Sequence, residues 1–240
     1  MNSKLKSEKI LINVKKIILI NSMGGCCQLC KEKNHFKLVF HHNNEDIEKS
    51  FHFGEYRKNR FSILKAEMEK CILLCQNCHR ELHYNDVSQR LKDDTRRKNK
   101  KIYLEYSGTE CIKCGYDKSP AALCFHHRNP SEKSFPICDF NRKIDCIKDL
   151  DDIIKVEMDK CDILCANCHV LEHSDINFFE KYKNEIQNKI ITYKEKQKKI
   201  DRHIVIEMYN NGSKQIDIAK HFSASKGTIS DIIKKYKIGG

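Results

Sequence analysis

The sequence predicts an α+β protein in which two small repeated units stand in tandem before an all-helical C-terminal module. Three observations support this fold class. Residues 70–83 contain the pattern Cys-x-x-Cys-His-x-x-x-His, and residues 160–173 repeat it at the same spacing. A further Cys-x-x-Cys pair and a β-prone run precede each copy at matching positions. The last forty residues change character, and their apolar residues are spaced as in short helices.

The composition argues against a large hydrophobic core. The chain has 240 residues, of which 32% are charged and only 8% aromatic, with no tryptophan. Several small modules, each stabilised by something besides apolar burial, fit these values better. The formal net charge of +12 favours a polyanionic partner, nucleic acid first and an acidic membrane surface second.

The cysteine usage indicates a reducing compartment. Fourteen cysteines could form the disulfides of a secreted protein, but no signal peptide is visible. The apolar stretch at residues 10–20 is broken by Lys15 and Lys16, which also argues against a membrane span. Cys-x-x-Cys pairs beside histidines are typical of metal ligands. We therefore expect an intracellular protein, in a bacterial host or a virus-infected cell, that is neither secreted nor bound to a membrane.

Each repeat predicts the same order of elements. A short helix is followed by the first cysteine pair, a β-prone run ending in two histidines, a Lys-Ser-Phe triplet, an amphipathic helix and the Cys-x-x-Cys-His-x-x-x-His stretch. The predicted domains are a first unit with its N-terminal helix at 1–88, a linker helix and second unit at 89–175, a helical spacer at 176–200 and a helical module at 201–240.

The cysteine pairs predict two structural zinc ions. Two Cys-x-x-Cys pairs suit one tetrahedral zinc, and such an ion can supply the folding energy that a small core lacks. Disulfides or free buried thiols are the alternative. Cys26 rivals Cys27 as a ligand, but Glu110 stands at the equivalent position of the second copy. The predicted ligands are Cys27, Cys30, Cys75 and Cys78 for one ion, and Cys111, Cys114, Cys165 and Cys168 for the other. We expect the remaining cysteines to be small core residues: Cys71, Cys124, Cys138, Cys146 and Cys161.

The histidines predict a second kind of metal site. His79 and His83 are four residues apart and fall on one face of a helix, whereas His41 and His42 end a strand and point to opposite sides. One strand histidine can therefore join the two helix histidines around an open divalent ion, while the other is free to act as a base. The alternative is that these histidines orient the zinc knuckles or contact phosphate. The second copy repeats the set with His126, His127, His169 and His173.

At this point the sequence resembles the HNH endonuclease family of the zinc-knuckle type, which has the ββα-metal fold. The resemblance covers residues 15–84 and 100–174. It rests on the paired histidines, the second Cys-x-x-Cys pair and the histidine that follows it, in both copies. It implies that His42 and His127 are general bases and that four histidines bind the catalytic ion: His41, His79, His126 and His169. His83 and His173 match a further ligand of the colicin-type branch.

One position departs from the family pattern. The family has a middle Asn that orients the loop carrying the base, and Lys70 and Lys160 occupy that position, nine residues before each helix histidine. Asn77 and Asn167 lie on the zinc knuckle and do not match the family residue. Two further lysines, Lys49 and Lys133, could contact phosphate, although a solvated side chain is the alternative.

The C-terminal module predicts two helices, at 215–222 and 226–236, joined by a short turn. It resembles the helix-turn-helix tails of resolvases and phage HNH endonucleases, in which the second helix enters the major groove. The resemblance implies that Lys226, Thr228 and Asp231 reach base edges, whereas Lys220, Lys234 and Lys235 contact phosphates. The alternative is a plain helical hairpin that packs on the rest of the chain.

The abundance of Lys, Ile and Asn hints at an AT-rich genome, such as that of a phage or large virus.

These observations predict an endodeoxyribonuclease in which each centre hydrolyses one strand with a divalent cation. We expect Mg²⁺, with Mn²⁺ or Ni²⁺ as alternatives. The expected partner is double-stranded DNA, with no membrane and no obligate protein partner, because tandem centres can cut both strands as a monomer. Two alternatives stay open: a zinc-dependent DNA-binding regulator without cleavage activity, and a structure-selective nuclease for branched DNA.

Overall fold

The computed structural model describes residues 3–43, 59, 61–85, 94–139, 146–198, 200–222 and 224–238. These residues form ten α-helices and two antiparallel two-stranded sheets, which confirms the predicted α+β class. They divide into two compact units. The sheet unit consists of the described residues of 20–43 and 71–176, and the helical unit of those of 1–19, 44–70 and 177–240.

The helices, in chain order, are α1 (Ser3–Ser22), α2 (Phe61–Met68), α3 (Gln76–Asn85), α4 (Asp94–Ser107), α5 (Asp152–Asp159), α6 (Ala166–Glu172), α7 (Ile176–Lys198), α8 (Arg202–Asn210), α9 (Gln215–His221) and α10 (Lys226–Ile238). The strands are β1 (Leu38–His42), β2 (Cys71–Cys75), β3 (Leu123–His127) and β4 (Cys161–Cys165). None of these helices is long and apolar enough to cross a membrane.

Each repeat in the sheet unit contains a strand pair followed at once by a helix. β1 pairs with β2 so that Leu38 lies opposite Cys75, and β3 pairs with β4 so that Leu123 lies opposite Cys165. The second strand of each pair ends at the cysteine that precedes the helix, and α3 and α6 begin at the next residue. In β4 the Sγ of Cys165 accepts the main-chain N–H of Cys168 at 3.4 Å and so caps the first turn of α6.

The apolar residues of the strands form a small core in each repeat. Leu38, Leu73 and Leu74 pack together in the first repeat with Ile20 at the end of α1. In the second, Leu123, Ile163 and Leu164 pack with Leu104 of α4. Another cluster of the second repeat joins α4 to α5 through Tyr103, Leu150, Ile154 and Met158. Both cores are small, so we expect the cysteines at the strand ends to contribute much of the stability of each repeat.

The helical unit contains two apolar clusters. In one, Ile10, Val14 and Ile18 of α1 pack against Ile186 and Ile190 of α7. Helix α7 is kinked at Tyr182, whose φ and ψ are −111° and 15°. The other cluster lies among α8, α9 and α10 and consists of Val205, Ile218, Ala219, Ile229 and Ile233. The two predicted C-terminal helices correspond to α9 and α10, and α8 adds a third helix to their core.

Candidate metal centres

The two cysteine tetrads lie where two knuckles of each repeat meet. Each set places its four Sγ atoms within 4.8 Å of one another, and the sets are Cys27, Cys30, Cys75 and Cys78, and Cys111, Cys114, Cys165 and Cys168. Cys30 Sγ and Cys75 Sγ are 3.5 Å apart, and Cys114 Sγ and Cys165 Sγ are 3.7 Å apart. Sulfurs at about 2.3 Å from a tetrahedral zinc lie about 3.8 Å from each other, whereas a disulfide bond measures about 2.05 Å. Both tetrads are therefore compatible with structural zinc.

The local backbone of each tetrad already stabilises negative charge on sulfur. The Sγ of Cys27 accepts the N–H of Cys30 at 3.5 Å, and that of Cys75 accepts the N–H of Cys78 at 3.4 Å. Burial raises the pKa of the Cys27 thiol, but main-chain N–H groups, that of Cys30 foremost, outweigh it and lower the pKa to about 7. Burial and the neighbouring thiols raise the pKa of Cys30 to about 11. A cation is what lets all four sulfurs ionise together.

The turn that closes the first cysteine pair differs between the repeats. The residue after the pair has a positive φ in both, 68° for Gly115 and 65° for Lys31. Its N–H donates to the carbonyl of the first cysteine, at 2.8 Å from Gly115 to Cys111 and 3.0 Å from Lys31 to Cys27. The glycine adopts this conformation without steric cost, whereas the lysine does not. The same tight turn is therefore present in both repeats despite the different residue.

The cysteines outside the tetrads do not all fit the expectation of core residues. Cys71 and Cys161 are buried, but Cys138 and Cys146 are exposed. Cys124 is half-buried, and its Sγ accepts from Nη1 of Arg80 at 2.8 Å. Cys26, the rival to Cys27, is not among the four sulfurs grouped in the first repeat.

Three histidines converge beside each tetrad. The rings of His79 and His83, one helical turn apart on α3, have centroids 4.7 Å apart, and His41 of β1 lies 5.1 and 4.9 Å from them. The second repeat places His169 and His173 4.7 Å apart, with His126 at 5.2 and 5.3 Å. In each cluster one nitrogen per ring lies within 4.8 Å of the others, so all three imidazoles can turn towards one ion.

Three of the clustered histidines have a lowered pKa, which favours the neutral form that binds metal. Burial, followed by repulsion from His83 and His41, lowers the pKa of His79 to about 4. Burial and then His173 and His126 do the same for His169. The pKa of His126 is lowered in the same direction, first by burial. His79 and His169 are therefore neutral at pH 7 and need not release a proton before a cation binds.

The second histidine of the β3 pair contacts a different set of groups. His127 follows His126 in the strand, and its Nε2 lies 2.8 Å from Oε1 of Glu157. The other Glu157 oxygen, Oε2, accepts a hydrogen bond from Nζ of Lys160 at 2.7 Å. In the first repeat, His42 ends β1 opposite Cys71, and Lys70 Nζ lies 3.1 Å from Glu67 Oε2. The sequence reasoning missed both glutamates, although their place on the core-facing side of an amphipathic helix in both copies was the available signal.

Among the residues predicted to contact DNA, those that the structure describes lie after β3, on α9 and on α10. Lys49 lies outside the described residues, and Lys133 is exposed in the loop after β3. On α9, Lys220 is exposed and near Asp217 at 3.9 Å. On α10, Lys226, Lys234 and Lys235 are exposed, whereas Thr228 and Asp231 are half-buried. The Thr228 N–H donates to Ser225 Oγ at 3.1 Å, which caps α10.

Comparisons with protein-family models, with curated proteins and with solved structures give no match for this chain. The feature of the chain that bears most on function is its repetition. Each repeat combines four cysteines, three converging histidines and one further histidine at the strand end.

Proposed function

We propose that the protein is a metal-dependent DNA endonuclease with two hydrolytic centres, one in each repeat of the sheet unit. The observation that carries this proposal is the pairing of a three-histidine cluster with an adjacent strand histidine, found twice. A purely structural zinc module uses its cysteines and has no need for a second cluster of ligand-competent imidazoles. Hydrolysis of a phosphodiester needs a cation and a base side by side.

The chain's residues divide the work of hydrolysis between them. His41, His79 and His83 would hold the ion in the first centre, and His126, His169 and His173 would hold it in the second. When bound there, a divalent cation would offset the charge that develops on the phosphate and the leaving oxygen. His42 and His127 each take a proton from water as it attacks phosphorus. The bond to the 3′ oxygen breaks, which leaves a 5′-phosphate and a 3′-hydroxyl, as the HNH resemblance implies.

The donor set bears on which metal is used. Imidazole nitrogens suit first-row transition ions such as Ni²⁺ and Zn²⁺, whereas Mg²⁺ prefers oxygen ligands and keeps several waters. Three imidazoles in each cluster therefore favour a transition ion over the Mg²⁺ expected at the outset. Mn²⁺, Ni²⁺ and Mg²⁺ all belong in the activity assay.

The exposed lysines of α9 and α10 supply the proposed targeting surface. Lys226, at the start of α10, is placed to reach base edges if this helix enters the major groove, with Thr228 and Asp231 on the following turns. Lys220 and Lys234 favour phosphates. Lys235 differs from them because its Nζ lies 3.1 Å from Glu69 Oε1. The net charge of +12 supports the same class of partner.

Plasmid cleavage tests the proposal. Purified protein with a divalent cation should convert supercoiled plasmid to linear DNA, because two centres in one chain can cut both strands. His42→Ala or His127→Ala alone should leave mainly nicked circles, and the double variant should leave the plasmid intact. Cleavage by the double variant at the wild-type rate would remove the catalytic assignment. DNA binding without cleavage under Mg²⁺, Mn²⁺ and Ni²⁺ would instead support a zinc-dependent regulator.

A further inference from the structure

In the second repeat, the loop that follows β3 is held to α5 by one buried carboxylate. Glu157 is 1% exposed, and its Oε1 accepts the main-chain N–H of Ser134 at 2.8 Å and that of Phe135 at 3.4 Å. The same oxygen lies 2.8 Å from Nε2 of His127. A single side chain therefore contacts both the candidate base and the loop beyond it.

Lys160 completes this arrangement from the end of α5. Its Nζ donates to Glu157 Oε2 at 2.7 Å, to the carbonyl of Glu132 at 3.0 Å and to Ser134 Oγ at 3.1 Å. The hydrogen bond from Lys160 is the main reason that the pKa of Glu157 lies well below its usual range, despite burial. Glu157 is thus an ionised carboxylate, and Lys160 holds both that carboxylate and the loop.

The contact with Glu157 also selects the form of the His127 ring. An ionised carboxylate only accepts hydrogen bonds, so Nε2 of His127 must carry the proton that lies between the two groups. In the neutral ring, Nδ1 then keeps its lone pair. A base needs a nitrogen with a free lone pair in a fixed direction, and Glu157 provides both conditions without touching the reacting atoms.

We propose that Glu157 and Lys160 are positioning residues that orient His127 and anchor its loop, the task that the family assigns to the Asn absent here. This inference rests on the proposed nuclease function. Lys160 occupies the position where that Asn is expected, and its contacts run to the loop that the Asn would hold. The first repeat keeps both residues as Glu67 and Lys70, joined at 3.1 Å. The retained pair explains why both copies can lack the Asn together.

A single-centre background makes the test specific. In His42→Ala protein, only the second centre can nick plasmid, and His127→Ala in that background should abolish nicking. Glu157→Ala should lower the nicking rate under single-turnover conditions by about 10- to 100-fold, the usual effect of losing an orienting partner. Glu157→Gln keeps an acceptor oxygen and should lose less. The DNA dissociation constant and the zinc content should not change, since neither group binds DNA or zinc.

A matched control and a second measurement keep the test decisive. Asp152→Asn removes the same charge from the other end of α5, where the side chain is exposed and its Oδ1 lies 3.1 Å from Lys155 Nζ, and should leave the rate unchanged. The ring ¹⁵N chemical shifts of His127 should show the Nε2–H tautomer in wild type and a mixture in Glu157→Gln. A wild-type ring in the Nδ1–H form, or Glu157 variants that nick as fast as Asp152→Asn, would overturn the inference.

The two proposals fail in different ways. If the His42→Ala protein nicks plasmid and His127→Ala in that background stops it, the nuclease function stands whatever the Glu157 variants do. If no form of the protein cleaves DNA, the proposed nuclease function is wrong. The tautomer of His127 in wild type and Glu157→Gln then decides alone whether Glu157 positions the ring.

Discussion

Asn77 and Asn167 cap each other's helices across the sheet unit. The Oδ1 of Asn167 accepts the main-chain N–H of Asn77 at 3.2 Å, and the Oδ1 of Asn77 accepts the main-chain N–H of Asn167 at 2.9 Å. Both residues lie in the first turn of their helices, where N–H groups lack partners within the helix, and both are buried. The exchange of equivalent bonds between equivalent residues relates the two repeats as in a symmetric dimer.

Breaking this exchange should destabilise the protein. Asn77→Ala leaves the buried N–H of Asn167 without its acceptor, which should cost about 1–3 kcal/mol of unfolding free energy. Urea unfolding followed by circular dichroism measures the change. Asn13→Ala removes an exposed side-chain bond to the Lys9 carbonyl and serves as the control, with an expected change within about 0.5 kcal/mol. Equal losses in both variants would contradict the capping role.

The cysteine tetrads predict that substitutions of the two cysteines at the ends of β2 have different effects on the zinc content. Cys75→Ser should reduce the zinc content from two ions per chain to one, because Cys75 belongs to a tetrad. Cys71→Ser, at the other end of β2, should keep both ions, since Cys71 is buried outside the tetrad. Elemental analysis of the purified variants gives the stoichiometry. Removal of zinc with a chelator should unfold the sheet unit, because zinc binding contributes about 10–16 kcal/mol in comparable sites. Two ions retained in Cys75→Ser would contradict the assignment.

The histidine clusters predict a stability that falls in mild acid. His79 and His169 have an ordinary pKa of 6.5 when unfolded and about 4 in the folded chain. As the pH falls below 6.5, the unfolded chain binds protons that the folded chain does not bind until about pH 4, so folding stability is lost across that interval. The double variant His79→Gln, His169→Gln should lose less stability over the same range. Urea unfolding at a series of pH values, without added divalent ion beyond zinc, tests this. Parallel curves for the two proteins would contradict it.

Spacing along the chain was sufficient for the parts of the fold that depend on local geometry. The helical period brings His79 and His83 onto one face, and a Cys-x-x-Cys pair forms a knuckle wherever its turn can form. These two features need only a few consecutive residues. The repeat also indicated which two cysteine pairs come together, and the structure groups them as the pattern suggested.

Contacts between distant segments that the repeated motif does not mark could not be predicted from the residue spacing. A repeat predicts two similar units but does not say whether they pack together, so the exchange between Asn77 and Asn167 could not be predicted. Glu157 lies on the core-facing side of α5, and this position is all that the apolar spacing of the helix could have indicated. Its partner His127, however, lies thirty residues earlier in the chain, and no periodicity links the two. Tertiary contacts of this kind depend on the loop path rather than on local preference.

The C-terminal helices offer a test through the salt dependence of DNA binding. Lys234→Ala should weaken binding to all sequences alike and reduce the slope of log affinity against log salt by about 1, because one fewer phosphate contact releases one fewer counterion. Lys183→Ala on α7 is the matched control, since Lys183 is also exposed but lies 3.3 Å from Glu180 within its own helix. Fluorescence anisotropy with a labelled duplex over a range of salt concentrations gives both slopes. The proposed phosphate contact requires the Lys234→Ala slope to be shallower than that of Lys183→Ala, and identical slopes would contradict it.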